Sequence, residues 1–363
     1  MTIYIVVAIF FLIQSVIEER IHLSILVQRR SYSIKDLCAT VNLGVLVTLS
    51  VLRTLSVGND LASYENWYSS YRSVDIKAAA TGHLWEFGYY IINRICIITG
   101  IDYHGFVCVH SILCCLLFYY IIKNLSRNYS MSFFFFMTIG HLQFMFSTLR
   151  LELAILLVGV STILLIKKKY TLFVFTSLFA LTVHTAAIVG IVIYAAVIFR
   201  KNRYYMIISF AYMLAIGILS LTGLQVFFNW YSSFRGTTAY SRTGSFGGML
   251  FLFLIVINII SYAVLYIFTS QGRRDNKAKL FLRVVVLGNI LQLLTMYDGI
   301  ITRMVAFFTF FYIILLPNMI EENKNKVIGI GMKWGVAALW FVFFVVALNN
   351  DYQGIVPYIS IFT

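Results

Sequence analysis

The sequence predicts an all-α, polytopic integral membrane protein of about ten to twelve transmembrane helices, and two observations predict it. The first is composition: 61% of the 363 residues are hydrophobic and 12% are charged, with a mean hydropathy of +0.88. A soluble fold of that composition would turn large apolar areas to water. The second is charge placement. The 28 Lys and Arg against 14 Asp and Glu give a formal net charge of +14, yet the cations fall in short clusters between apolar runs. That is the pattern of cytoplasmic loops and not of a phosphate-tracking groove, so no nucleic-acid partner is expected. Cys38, Cys96, Cys108, Cys114 and Cys115 form no CxxC pair and mostly sit in apolar runs, which indicates packing, not a disulfide framework or a zinc site.

In chain order, residues 3–17 form the first span. No basic segment precedes it and no small-residue cleavage site follows, so it is expected to stay as a span. It ends at Glu18, Glu19 and Arg20, and with Arg29, Arg30 and Lys35 these mark the cytoplasmic side, leaving the N-terminus outside. Residues 37–55 return outward to a polar tract, 53–89. Residues 56–103 are read as an outer, periplasmic loop with an interfacial helix near 87–99, anchored by Tyr89, Tyr90 and Arg94. Residues 105–122 lead in to Lys123 and Arg127. Residues 131–166 have cations at both ends and are read as two lean spans turning near 141–150. Residues 172–199 are too long for one span and short for two, which predicts a broken helical hairpin with its break near 182–184. Irregular backbone at membrane depth is tolerated only beside protein or a water-filled cavity, so the break points to a cavity. Residues 204–221 lead to a second outer loop, 222–247. The remaining spans are 249–268, 282–297, 300–316 and 334–348, with the basic cluster 273–279 inside. The chain 1–363 reads as a single transmembrane domain without an internal repeat.

An ionisable group inside a span costs about 3 kcal/mol on insertion scales. Arg53, Arg150 with Glu152, His184, and Arg303 near Asp298 all map to the outer half or to the hairpin break. Each alone has a plain structural reading: snorkelling for Arg53, an internal pair for Arg150 and Glu152, backbone hydrogen bonding for His184. Arg303 precedes the apolar run 304–316 and is expected to be buried. Their convergence on one side suits an anionic group, because guanidinium stays charged and grips phosphate oxygens in pairs. Asp60, Glu86 or His184 would remove a proton from a sugar hydroxyl, and the sequence does not choose among them. Trp67, Tyr68, Tyr71, Trp85 and Tyr89 either stack on sugars or form an interfacial belt. No Walker loop, GxGxxG, HExxH or nucleotide-sugar domain is present, so energy is expected from a membrane-borne substrate or a gradient.

The order Arg53, Gly58-x-Asp60, Tyr64, Glu86-x-Gly88-Tyr89, Arg150 with Ala154, His184 with Ala186-Ala187, Tyr240, Arg303 and Pro357-Tyr358 resembles the EpsG-like family of bacterial polysaccharide polymerases. That family is related in role to the Wzy O-antigen polymerases. The resemblance spans nearly the whole chain; each motif is short, and the specificity lies in their order and spacing. Two positions depart from the pattern: Asn59 stands where a hydroxyl residue is frequent, and Glu152 follows Arg150 where Gln directly after the Arg is common. The resemblance implies a glycosyltransferase at the outer face of the bacterial inner membrane, similar to the GT-C class. It would polymerise O-antigen or exopolysaccharide repeat units carried on undecaprenyl diphosphate, moving the growing glycan to the non-reducing end of a new unit. No cofactor or metal is implied. Arg53, Arg150 and Arg303 would bind the diphosphate, Asp60, Glu86 and His184 would supply catalysis, and Tyr64, Tyr89 and Tyr240 would contact glycan. Membrane lipid and a chain-length-determining co-polymerase are the expected partners. A ligase that transfers finished glycan to a lipid A core would use the same chemistry. A flippase or transporter would be expected to have repeated halves and charges along a central passage, whereas here they gather on one side.

Overall fold

Lipid offers no partner to a peptide group, so a chain this apolar must satisfy its backbone within helices. A computed structural model describes residues 1–20, 24–27, 30–76, 87–199, 276–294, 299–321 and 326–362, with isolated positions between 256 and 263. The helices are α1 (Thr2–Arg20), α2 (Ile34–Val51), α3 (Leu61–Ser70), α4 (Phe87–Ile98), α5 (Tyr103–Leu125), α6 (Tyr129–Thr138), α7 (His141–Phe146) and α8 (Leu149–Ile166). They continue with α9 (Tyr170–Val183), α10 (Gly190–Ile198), α11 (Asn276–Leu294), α12 (Gly299–Thr309), α13 (Tyr312–Glu321) and α14 (Lys326–Asn349). The basic loop between α1 and α2 adds an antiparallel hairpin, β1 (Ser24–Val27) with β2 (Arg30–Ser33), in the register Ser24 to Ser33; the hydropathy pattern gives no sign of it.

Among the described residues six helical segments are long and apolar enough to cross a membrane: Thr2–Glu19, Ile34–Val51, Tyr103–Leu125, Leu149–Ile166, Ile301–Asn318 and Ile330–Asn349. Shorter apolar helices accompany them at Phe87–Ile98, Tyr170–Val183, Thr185–Ile198 and Leu280–Asn289. The protein is therefore an all-α polytopic membrane protein. The expected span 204–221 and the second outer loop 222–247 lie outside the described residues, as does most of 249–268. The chain forms two compact units, Met1–Gly190 with Tyr312–Thr363, and Ile191–Phe311.

In the first unit α6 is the hub, packed against α1, α2, α5, α7, α13 and α14. Its run Phe133 to Phe136 is completely buried, with Phe136 on Phe118 at 4.3 Å and Phe133 on Phe11 at 5.3 Å. Because lipid tails are as apolar as these rings, tight packing and polar links must hold the helices together. The links are present: Ser132 Oγ donates to the Ile313 carbonyl at 2.9 Å and Asn42 Nδ2 to Ser130 Oγ at 2.9 Å. At the start of α6 the Glu18 carboxylate accepts from Tyr129 N at 2.8 Å and Ser130 N at 2.9 Å, satisfying two of the helix's open donors.

Groups that the charge pattern puts on one side do meet at one end of this unit. Lys35 faces Glu18 at 3.9 Å, Lys123 pairs with Asp36, and Lys333 pairs with Glu19. At the other end Tyr4 Oη donates to the Ile355 carbonyl at 2.8 Å, and residues 52–54 pair with 359–361.

Residues 131–166 depart from the expected pair of spans. At ~1.5 Å per residue, the 10 residues of α6 cover about half of a ~30 Å hydrocarbon core. The chain then stops at Gly140, forms α7 where a turn was expected, stops again at Ser147 and Thr148, and enters α8. Every residue from 130 to 149 is buried, which is the condition for breaking a helix at that depth. The break expected near 182–184 falls at His184, which is extended (φ −151°, ψ 127°) between α9 and a 3₁₀ turn over Thr185–Val189. On α9, Leu172, Phe175 and Leu178 are exposed, as lipid-facing residues would be. In the second unit α11 packs on α12, with Phe281 stacked on Phe311 at 5.2 Å.

Replacing Glu18 with Ala should remove both acceptors at the start of α6, at a cost of about 1–3 kcal/mol. The expected result is a melting temperature lowered by several degrees in detergent; an unshifted melt would show that the carboxylate does not support α6.

Candidate active site

The loop after α2 carries Arg53, Gly58 and Asp60. Gly58 has φ +128°, and a Cβ there would stand 2.3 Å from the Phe146 carbonyl oxygen, so only glycine lets this loop lie against the end of α7. Arg53 is 1% exposed. Its guanidinium sits 4.0 Å over the Phe146 ring, and among the described residues none of its three nitrogens has a hydrogen-bond partner. Burial pulls its pKa down to about 10, so it stays charged at neutral pH. A desolvated cation–π contact contributes about 2 kcal/mol, whereas the burial penalty for an ion is several kcal/mol. Phe146 alone does not offset that cost, which makes Arg53 a functional candidate, not a stabilising one.

Arg150 opens α8 on a different set of rings. Its guanidinium lies 4.3 Å from Trp67, 5.5 Å from Tyr64 and 5.8 Å from Tyr89. The rings come from two amphipathic helices. On α3 Leu61, Tyr64 and Tyr68 face inward while Glu65 and Asn66 face out, and on α4 Tyr89, Tyr90, Asn93 and Cys96 are buried. Tyr68 Oη donates to the Ile101 carbonyl at 2.6 Å and Tyr103 Oη to the Leu61 carbonyl at 2.7 Å, fixing α3 to the start of α5. Arg94, expected as an interfacial anchor, donates to the Tyr71 and Arg72 carbonyls at 3.0 Å, beyond the C-terminal end of α3.

The structure thus brings Arg150, Tyr64 and Tyr89 together, along with Trp67. Tyr64 and Tyr89 are 6% and 1% exposed; the faces that the sequence offers to sugar are turned to the guanidinium, and Trp67 is the half-buried ring of the set. Asp60 is half-buried at the N-cap position of α3; its carbonyl accepts from Tyr64 N at 3.1 Å, and its side chain does not cap the helix. His184 Nδ1 accepts from Ala186 N at 3.1 Å. That bond puts the proton of a neutral imidazole on Nε2, which leaves Nδ1 occupied as a base. Glu86 and Tyr240 lie outside the described residues, as do Trp85 and Asp298.

Two expectations need correcting. Arg303 is exposed on α12, not buried, because Ile301, Val305 and Phe308 take the inward face and position 303 falls on the other. It belongs to the second unit. Glu152 does not pair with Arg150, since residues two apart on a helix point in different directions. It pairs with His141, Nδ1 to Oε2 at 2.9 Å, both completely buried, and its Oε1 has no partner among the described residues. This pair ties α7 to the first turn of α8. Sequence reasoning misses it because His141 lies in the expected turn. Among the described residues no three His, Cys, Asp or Glu side chains cluster as a metal site would.

Fold and site define a polytopic helical membrane protein with two arginines held over aromatic rings at one end of its bundle. The chain belongs to the EpsG family, whose family model matches residues 37–360. That range runs from α2 through the segment that follows α14. No curated protein and no solved structure matches the chain.

Breaking the buried hydrogen-bonded pair with Glu152→Ala should cost about 1–3 kcal/mol and lower the melting temperature in detergent. Replacing both partners, His141→Leu with Glu152→Leu, should recover most of the loss. Equal destabilisation by the single and the double variant would show that the pair itself carries no weight.

Proposed function

We propose that this protein is a glycosyltransferase that polymerises lipid-linked glycan repeat units at the outer face of the bacterial inner membrane. The donor is a growing glycan on undecaprenyl diphosphate and the acceptor is the non-reducing end of a newly delivered unit on the same lipid. The observation that carries the reading is Arg150, a guanidinium at the head of a membrane helix, stacked within 4.3 Å of Trp67. Membership of the EpsG family supports it.

In the reaction the bond between the anomeric carbon and the diphosphate breaks while an acceptor hydroxyl attacks that carbon. Negative charge grows on the departing diphosphate, and a guanidinium already oriented by ring stacking stabilises that charge without reorganising. Arg150 has this role. Arg53, buried over the Phe146 ring, adds positive potential. The acceptor's proton goes to a carboxylate. Asp60 is favoured over His184 because His184 Nδ1 already holds a backbone N–H, whereas Asp60 stands at the head of the helix that carries Tyr64 and Trp67. Trp67 offers a ring face to sugar. The lipid diphosphate is the leaving group, so no nucleotide enters the reaction.

Purified protein in detergent, given undecaprenyl-diphosphate-linked repeat units and no nucleotide-sugar, should produce a gel ladder spaced by one repeat. Arg150→Ala should slow it by about 100-fold or more, and Asp60→Asn should do likewise, with both variants remaining folded. A ladder of wild-type rate from Arg150→Ala removes Arg150 from the mechanism. Wild-type protein that leaves the substrate intact but moves it across vesicles would replace the polymerase reading with transport.

A further inference from the structure

A segment without an α-helix or sheet of its own frays unless something ties it down. Here the segment after α14 is tied to the loop that carries Arg53 and Asp60. Thr54 N donates to the Ile359 carbonyl and Ile361 N to the Leu52 carbonyl, both at 2.9 Å, so Arg53 and Ser360 face each other in an antiparallel bridge. Further along, Gly58 N donates to the Gly354 carbonyl at 2.8 Å and Asn59 N to the Gln353 carbonyl at 3.1 Å. The segment is itself anchored to the bundle: Tyr4 Oη of α1 donates to the Ile355 carbonyl at 2.8 Å, and Tyr358 Oη donates to the Leu49 carbonyl of α2 at 3.1 Å. Two residues of its tight turn, Gln353 and Gly354, have left-handed backbone at φ +71° and +65°, which ordinary residues adopt at a cost. A Cβ at position 354 would stand 1.8 Å from Asn59 Oδ1, next to Asp60.

We propose that the C-terminal segment, residues 351–361, is a positioning element of the active site that sets the 52–60 loop and with it Asp60. This inference rests on the polymerase reading and adds to it. The loop makes local bonds of its own, Val57 N to the Thr54 carbonyl at 3.2 Å and Leu61 N to the Gly58 carbonyl at 3.4 Å, but four further backbone hydrogen bonds between the end of α2 and the start of α3 come from, or go to, the C-terminal segment. Positioning that depends on such a clamp is sensitive to sub-ångström displacement, because a proton acceptor works only within hydrogen-bond reach of its donor.

The test uses the full-length protein in detergent with undecaprenyl-diphosphate-linked repeat units, measuring initial rates against substrate concentration. Gly354→Ala should push Asn59 aside and lower kcat at least about tenfold, with KM within about twofold and a melting temperature lowered only by the modest cost of a left-handed alanine, a cost that the Asn59→Ala rescue does not remove. Adding Asn59→Ala removes the colliding oxygen and should restore most of kcat, which a general loss of stability would not allow. Tyr358→Phe, which removes only the hydroxyl bonded to Leu49, should lower kcat severalfold in the same direction. Gly331→Ala, where a Cβ meets nothing within 4 Å, should match wild type. A wild-type ladder with Gly354→Ala and Tyr358→Phe both at wild-type kcat overturns the positioning role and leaves the polymerase reading standing. The positioning role also falls if kcat drops in Gly354→Ala only together with the melting temperature and is not rescued by Asn59→Ala. A wild-type protein that makes no ladder overturns the reading beneath it.

Discussion

Between Ser130 and Leu149 the chain ends one short helix, begins another and ends that one too, inside a bundle of membrane-crossing helices. Each interruption leaves peptide groups that lipid cannot satisfy, so this tract exists only because protein surrounds it. The other helices of the first unit follow from that need. α1, α2, α5, α13 and α14 close around α6, while α7 packs on α6, α8 and the turn at 352–354; the outward faces of the enclosing helices carry exposed apolar residues, such as Val6 and Ile13 on α1 and Leu116 on α5. The gain is geometric: a buried, broken element delivers Phe146 beneath Arg53 and sets Arg150 at the head of α8.

The two arginines are supported in different ways. Arg150 lies in a partly open setting over three rings, where stacking orients the guanidinium. Arg53 is sealed in, one ring beneath it and the C-terminal segment across its backbone. In the proposed reaction the first is the arginine that meets the substrate. The second suits a fixed source of positive potential, which burial strengthens by lowering the local dielectric.

The glycines mark where separate parts of the chain meet. Gly58 seats the loop on α7, Gly88 seats α4 against Thr182 of α9, and Gly354 seats the C-terminal segment against Asn59. These contacts join residues far apart in sequence into one surface at one end of the unit. The opposite end is held by charge: Glu18, Glu19, Asp36, Lys35, Lys123 and Lys333 meet there.

Composition and the spacing of cation clusters were enough to determine the membrane class and the helical architecture, because the bilayer imposes its rules on every residue of a span, and the order of short motifs was enough for the family. The break at His184 was legible because a length that fits neither one span nor two leaves few arrangements. Arg53, Asp60 and Arg150 could be picked out because a charge among apolar neighbours needs a reason. Partners were not legible. Glu152 turned to His141 instead of Arg150 because helix rotation, not sequence distance, decides who faces whom. Tyr64 and Tyr89 face the Arg150 guanidinium because α3 and α4 pack with those rings inward. Arg303 lies on the exposed face of α12 because Ile301, Val305 and Phe308 take the buried one. Only the tertiary structure decided that residues 351–361 lie across the loop of Arg53 and Asp60, since those hydrogen bonds join backbone groups about 300 residues apart, and backbone groups carry no sequence signal.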